Sequence, residues 1–227
     1  MEFTLHKQLK QHYCGDAGET EVRWGKFRID AVLDGVLFEI QLGSLSAIRD
    51  KIRSLSKKHK VVVVKPIVTR KRLVKLASKR GRVTEERWSP RRHTILNLFD
   101  ELVYFTKAFP HPNLKLQVPL LSVIETRYPG RGKRRRRRDN DFQILDRELL
   151  EIEETRAFAS EQDLLDLLPA DLPAVFDTAD LAKHLQVQRW IAQRIAYCLR
   201  NMGGLQVAGK RRNTMLYELA AKARRAA

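Results

Sequence analysis

The spacing of apolar residues changes along the chain, and the changes mark its elements. Leu5 and Leu9 lie one helical turn apart, which predicts a helix over residues 3–13, ended by Gly15 and Gly18. Three short alternating stretches follow, at residues 20–24, 27–33 and 36–42. Gly25-Lys26 turns the chain between the first two, and Asp34-Gly35 is a strong hairpin signal before the third. Leu45, Ile48, Ile52 and Leu55 then return to helical spacing over residues 44–56. The run KVVVVKPIV, residues 60–68, reads as one strand buried on both faces. A strand reached through a crossover helix pairs parallel within its sheet, so the order αβββαβ predicts an α/β fold with a mixed sheet.

The last fifty residues carry a second pattern. Asp177-Thr178 can cap a helix over residues 179–185, and a short turn at Gln186-Val187 leads to another over 188–202, ended by Gly203-Gly204. Residues 205–208 and 214–219 read as two strands around Gly209-Lys210-Arg211-Arg212-Asn213. In the second helix Ile191, Ile195, Cys198 and Met202 form the expected buried stripe. Arg189, Gln193, Ala196 and Arg200 fall on another face. Helix, turn, helix and basic hairpin together resemble a winged helix-turn-helix, which implies DNA contact through Arg189, Gln193, Arg200, Lys210, Arg211 and Arg212.

Charge sharpens this picture. The 227 residues hold 44 Lys and Arg against 27 Asp and Glu, a net charge of +17, which favours a polyanionic partner. The charge comes in blocks: net −2 over residues 1–48, +14 over 49–92, +7 over 93–138, −11 over 139–180 and +9 from 181 onward. The run RGKRRRRR after Tyr128-Pro129-Gly130 reads as a basic linker able to grip phosphates, with Arg134, Arg135 and Arg136 at its centre. There is no apolar run long enough to span a membrane, the N-terminus lacks the apolar core of a signal peptide, and the two cysteines, Cys14 and Cys198, lie far apart. A cytoplasmic protein without membrane contact is the expectation.

The most informative residues are acids. Glu39 stands inside an otherwise apolar strand (Val36, Leu37, Phe38, Ile40, Leu42), a costly position unless the carboxylate is paired or metal-bound. Asp30 lies nine residues earlier across the hairpin, and a bend in the meander would bring the two carboxylates to one edge. Structural roles are open to both: Asp30 beside the Asp34-Gly35 turn, and Glu39 paired with Lys65 on the next strand.

The order Glu2…Asp30…Glu39-Ile40-Gln41 resembles the PD-(D/E)XK nuclease superfamily, which includes restriction enzymes and archaeal Holliday junction resolvases. The resemblance spans roughly the first seventy residues. It implies a restriction endonuclease-like αβββαβ core in which Asp30, Glu39 and the Ile40 carbonyl ligate Mg²⁺ (or Mn²⁺), with Glu2 assisting from the first helix. Two departures stand out: Arg28-Ile29 precedes the Asp where the family has Pro, and Gln41 replaces the Lys, as in branches where E-x-Q is followed closely by Ser, here Ser44. Gln41 can orient water or touch phosphate but cannot act as a base.

The resulting expectation is a nuclease-like α/β domain over residues 1–128, a basic linker over 129–140, an acidic connecting segment over 141–172, and a winged helix-turn-helix domain over 173–227. Function follows as metal-dependent DNA endonuclease. Arg49, Arg53, Arg70, Lys71 and Arg72 would line the path of the nucleic acid, and a homodimer is left open. A non-catalytic DNA-binding regulator and an RNA-acting nuclease are the alternatives.

One prediction needs only the sequence. No apolar residue interrupts the arginine run, so it should contact phosphates without reading bases. Each phosphate neutralised adds about 0.9 to the slope of log affinity against log salt on duplex DNA. Replacing Arg134 to Arg138 with Ser should flatten that slope by several units while leaving any cleavage pattern unchanged. Parallel salt titrations for parent and variant would show that the run does not touch nucleic acid.

Overall fold

The computed structural model describes residues 3–130 and 141–220. It is an α/β structure in which one large mixed sheet carries helices on both faces. Helix α1 (Thr4–Cys14) leads into an antiparallel meander of β1 (Glu19–Trp24), β2 (Phe27–Leu33) and β3 (Val36–Ile40). After a short 3-10 turn, α2 (Arg49–Leu55) crosses to β4 (Val61–Val64), which pairs parallel with β3. The expected order of helix, three strands, helix and parallel strand is present. The third strand ends at Ile40, two residues short of the expected limit, because the chain bends at Leu42-Gly43.

Beyond this point the fold departs from the expectation. The run 60–68 is broken at Lys65-Pro66, where proline has no N–H to offer a ladder. The chain then resumes as β5 (Ile67–Leu76), which turns back as β6 (Val83–Trp88). Helix α3 (Leu98–Leu102) precedes the longest strands, β7 (Leu114–Pro129) and β8 (Phe142–Phe158). One edge of β7 takes β4 along Leu114 to Gln117 and β5 along Leu120 to Arg127, both parallel. The other edge takes β8, antiparallel from Leu116↔Phe158 to Pro129↔Phe142.

This pairing corrects two expectations. The segment 129–140 is not an interdomain linker, since Pro129 and Phe142 are partners in one hairpin and Gly130 donates to the Asp141 carbonyl at 3.0 Å. Arg134, Arg135 and Arg136 themselves lie outside the described residues. Nor is 141–172 a connecting segment, because β8 completes the sheet, and a boundary at residue 128 would cut β7 from its partner. The acids of β8 have internal work. Glu153 accepts from the Ser122 hydroxyl at 2.6 Å and the Thr69 hydroxyl at 2.8 Å. Asp146 accepts the Thr4 N–H at 2.9 Å, placing a carboxylate at the start of α1 where the helix dipole favours it.

The C-terminal part comprises α4 (Glu161–Leu165), α5 (Thr178–His184), α6 (Arg189–Asn201) and the hairpin β9 (Leu205–Arg211) and β10 (Thr214–Leu219). Asp177 caps α5 with its side chain, and Phe176 bridges Tyr217 of β10. On α6 the buried set includes Ala192, Ile195, Ala196, Cys198 and Leu199. Ala196 therefore faces the core and not the open side with Arg189 and Gln193. The open side carries Trp190, Arg194 and Tyr197 instead.

These helices share one core with the sheet. Phe99, Leu102 and Phe105 belong to the same buried cluster as Ile195, Cys198 and Leu199, while Arg194 reaches Asp100 at 2.5 Å. A smaller cluster on the opposite face packs Leu5 and Leu9 of α1 on Ile40, Val62, Val64, Leu121 and Val123. No helix among the described residues is long and apolar enough to cross a membrane.

A shared core predicts shared unfolding. Leu199 is fully buried, and Leu199→Ala should cost about 2–5 kcal/mol. In urea the fluorescence transition of the whole chain should shift as one. Two transitions, with only one displaced, would show that α4 to β10 folds on its own.

Candidate functional site

The β2–β3 ladder is regular from Leu33↔Val36 to Ala31↔Phe38 and then opens. On the other side the β1–β2 register passes from Thr20↔Ala31 to Val22↔Ile29, leaving Glu21 and Asp30 without a pair. Glu21 adopts a left-handed φ of 57°, uncommon for a residue with a side chain. The freed N–H of Ile40 donates to Asp30 Oδ2 at 2.7 Å. Asp30 thus stands at a gap in the sheet, one strand from Glu39.

Helices on opposite faces reach this gap. From α1, His6 Nε2 lies 2.9 Å from the Ile40 carbonyl oxygen and 3.5 Å from Asp30 Oδ2. A carbonyl only accepts, so Nε2 carries the proton. Lys10 lies 3.8 Å from Asp30 Oδ1 and also pairs with Glu21. From α2, Lys51 Nζ donates to both oxygens of Glu39, at 2.7 and 2.6 Å, and to the Arg28 carbonyl. Glu39 is therefore paired with Lys51 and not with Lys65. Lys65 is buried elsewhere, donating to the Gly43 carbonyl at 2.5 Å with Glu101 at 3.5 Å, and burial pushes its ammonium below the ordinary lysine value.

The two carboxyls are driven apart in acidity. Burial opposes the charge on Asp30, but the His6 bond, the Ile40 N–H and Lys10 outweigh it and hold the group below its ordinary value. Burial pushes Glu39 up; Lys51 resists, the Asp30 charge adds to the rise, and the group stays above its ordinary value. A carboxyl pair split in this way is a recurrent feature of sites that handle protons or cations.

Asp30, Glu39 and the Ile40 carbonyl are hard oxygen donors. Two carboxylates and a carbonyl suit Mg²⁺, which takes few protein ligands and keeps its waters. His6 faces Asp30 and the Ile40 carbonyl together, so those two donors already converge on one position. Among the described residues no group of three or more His, Cys, Asp or Glu side chains is arranged to hold a metal. The donor set fits a hard dication in type, and Lys51 is the group that competes for Glu39.

Other expected site residues fall elsewhere. Gln41 donates its amide to the Ser44 carbonyl at 2.8 Å and so closes its own turn. Glu2 lies outside the described residues. Arg49 pairs with Asp50, and Arg53 stands exposed one turn further along α2, 3.8 Å from Asp50. Arg70 stacks on Trp88, its guanidinium 4.5 Å from the ring centre. Lys71 and Arg72 are already paired: Lys71 holds the fully buried Glu125 at 2.8 Å and Arg72 pairs with Glu86. Arg211 pairs with the α5 cap Asp177 at 2.6 Å, while Lys210 and Arg212 are exposed. Sequence reasoning missed Lys51 as a neighbour of the acids, whereas His6 and Lys10 stand on a polar face of the first helix that could be expected to flank the cleft. Their signal was available in part, since His6 and Lys10 lie one turn apart on the first helix.

The Lys51–Glu39 pair generates a pH test. Glu39 binds its proton more tightly in the folded chain than an ordinary carboxyl, so folding gains as pH falls through the raised value and loses above it. Lys51→Met should cost about 1–3 kcal/mol at neutral pH by leaving that carboxylate without its donor. The loss should shrink on acidification, once Glu39 is neutral. Urea midpoints across pH check this; a loss equal at every pH would mean that Lys51 acts through packing alone.

The chain is 28% identical over 183 residues to an uncharacterized protein of Treponema pallidum (strain Nichols), an alignment covering 80% of this chain and 72% of that one. No solved structure matches it. Residues 3–159 match the model of a domain of unknown function, DUF8091, a stretch running from the residue before α1 to the residue after β8. The sheet, the helices packed within it and the Asp30–Glu39 site all fall inside that match, and the chain belongs to the DUF8091 family.

Proposed function

We propose that this protein is a metal-dependent DNA endonuclease with a restriction endonuclease-like core and a C-terminal winged helix. The observation that carries the reading is the position of Asp30 and Glu39 at the opened β2–β3 ladder, with their acidities split and cations on both sides. The order α1-β1-β2-β3-α2-β4, with β4 parallel to β3, supports the core. The order α4, Phe176 bridge, α5, α6 and hairpin supports the winged helix.

Asp30, Glu39 and the Ile40 carbonyl would hold Mg²⁺ or Mn²⁺, which when bound polarises a phosphate and acidifies water. Asp30 keeps its charge over the widest pH range, so it is the constant member of the pair. Glu39 is available as a carboxylate only above its raised value. Lys10 and Lys51 bring ammonium groups to the same gap, where a phosphodiester would meet them. Gln41, tied to Ser44, shapes the turn beside the acids and takes no proton. Arg189, Gln193, Lys210 and Arg212 offer exposed side chains to DNA from α6 and the hairpin; Arg200, half-buried, lies beside Met215. A second reading, a DNA-binding protein without catalysis, is favoured by the two hydrogen bonds that Lys51 donates to Glu39, which supply the carboxylate with a cation of its own.

The deciding experiment incubates the protein with labelled duplex, branched and single-stranded DNA and with RNA, in Mg²⁺, Mn²⁺ or EDTA. Cleavage of DNA should require the metal. Asp30→Asn and Glu39→Gln should each abolish it while nucleic-acid binding stays near parental. Activity should also fall as pH drops through the Glu39 value, which lies above that of a free glutamate. Binding without cleavage under every metal condition would select the second reading, and cutting by both variants would remove the site altogether.

A further inference from the structure

Strands β5 and β7 continue well past the carboxylate site. Glu39 pairs with Val63 and Val63 with Leu116, whereas Lys75 near the end of β5 pairs with Arg127, eleven residues further along β7. At about 3.3 Å per residue this extension is at most about 36 Å long. It is four strands wide, β6-β5-β7-β8, and β6 is exposed at every position.

Most basic residues on the extension are already neutralised. Lys71, Arg127 and Arg147 surround Glu125; Arg72 pairs with Glu86; Lys75 and Arg87 share Glu85. The tip differs. Between β5 and β6 the chain turns through Ala77-Ser78-Lys79-Arg80-Gly81-Arg82, closed by Gly81 N–H to the Ser78 carbonyl and Ala77 N–H to the Arg82 carbonyl, both at 3.0 Å. Lys79, Arg80 and Arg82 are exposed and make no ion pair among the described residues. Gly81 sits so close to Ser78 that a Cβ would lie 2.8 Å from its N–H nitrogen, so the turn is tight and presents its cations on a firm base.

We infer that the Ala77 to Arg82 tip is a phosphate clamp for duplex nucleic acid, gripping the backbone about one helical turn from the Asp30–Glu39 site. The tip carries three unpaired cations and no acid, which fits a polyanion and not an apolar or basic partner. The separation selects a duplex: one turn of B-DNA is about 34 Å, so phosphates that far apart lie on the same face of the helix. Four hydrogen-bonded strands hold the tip at that remove from the site. The clamp itself rests on charge and geometry; the position of the cut relative to it rests on the proposed endonuclease reading.

The test uses the full chain in the Glu39→Gln background, so that bound DNA is not cut. Lys79→Ser, Arg80→Ser and Arg82→Ser together should lower the slope of log affinity against log salt on a 30-base-pair duplex by about 2.7, at about 0.9 per phosphate released. The charge-preserving set Lys79→Arg, Arg80→Lys and Arg82→Lys should retain the parental slope. Parallel lines for the parent and the Ser variant overturn the clamp, as does an equal change in slope on a single strand with no preference for duplex. In the cleavage-competent chain, the Ser variant should cut the long duplex more slowly than the parent and a 10-base-pair duplex equally fast. If the slope falls but no duplex is cut, the clamp stands and the endonuclease reading fails. If cutting is intact and the slope unchanged, the clamp alone fails.

Discussion

A strand buried on both faces must find a partner for every N–H and carbonyl, since water cannot reach them. In this protein that requirement falls hardest on β7. Its residues from Leu116 to Val123 are mostly buried, and its sixteen positions need pairing along two edges. One edge is met in two instalments, β4 and then β5, because Pro66 interrupts the neighbouring line of chain. The other edge is met by β8 along almost its whole length. Both the compact core and the extension beyond it follow from satisfying that one strand.

The same bookkeeping explains the site. The meander below β4 gives up a pair at Asp30, and a side chain takes over the backbone's role there: Asp30 accepts the Ile40 N–H that a regular ladder would have used. A carboxylate used in this way is held ionised by the bond it accepts, while burial pushes its neighbour Glu39 up and Lys51 resists. The acidity split is thus a product of strand geometry. His6 shows the consequence most directly, since its single Nε2 proton is directed at the Ile40 carbonyl with Asp30 beside it.

Much of the meander was legible in the sequence because local rules decide it. Asp34-Gly35 forms a tight turn with positive φ at both residues, and Phe27–Leu33 is a strand with the expected limits. Glu39 was legible as an anomaly, an acid in an apolar strand, although its partner was not, because Lys51 is brought to it by a helix crossing and not by spacing. The strand β8 was hidden by its own composition. Its acids suggested a connecting segment, but Glu153 and Asp146 spend their charge on Ser122, Thr69 and the start of α1. The C-terminal helices were legible and the core they share with the sheet was not, since nothing in the spacing on α6 says that Leu199 and Cys198 will pack on Phe99.

Net charge, too, reads differently once partners are known. The block from residue 49 to 92 looked like a uniform basic surface, but the sheet sorts it into two populations. Residues on β5 and β6 whose side chains face neighbouring strands meet acids placed there by register: Arg72 with Glu86, Lys75 with Glu85, Lys71 with Glu125. Such pairs fix strand alignment and, near the surface, contribute little to stability or to attraction at a distance. The residues in the turn have no facing strand and make no ion pair among the described residues. On this extension the exposed cations without an acid partner among the described residues therefore lie where the sheet runs out of neighbours, at the turn between β5 and β6.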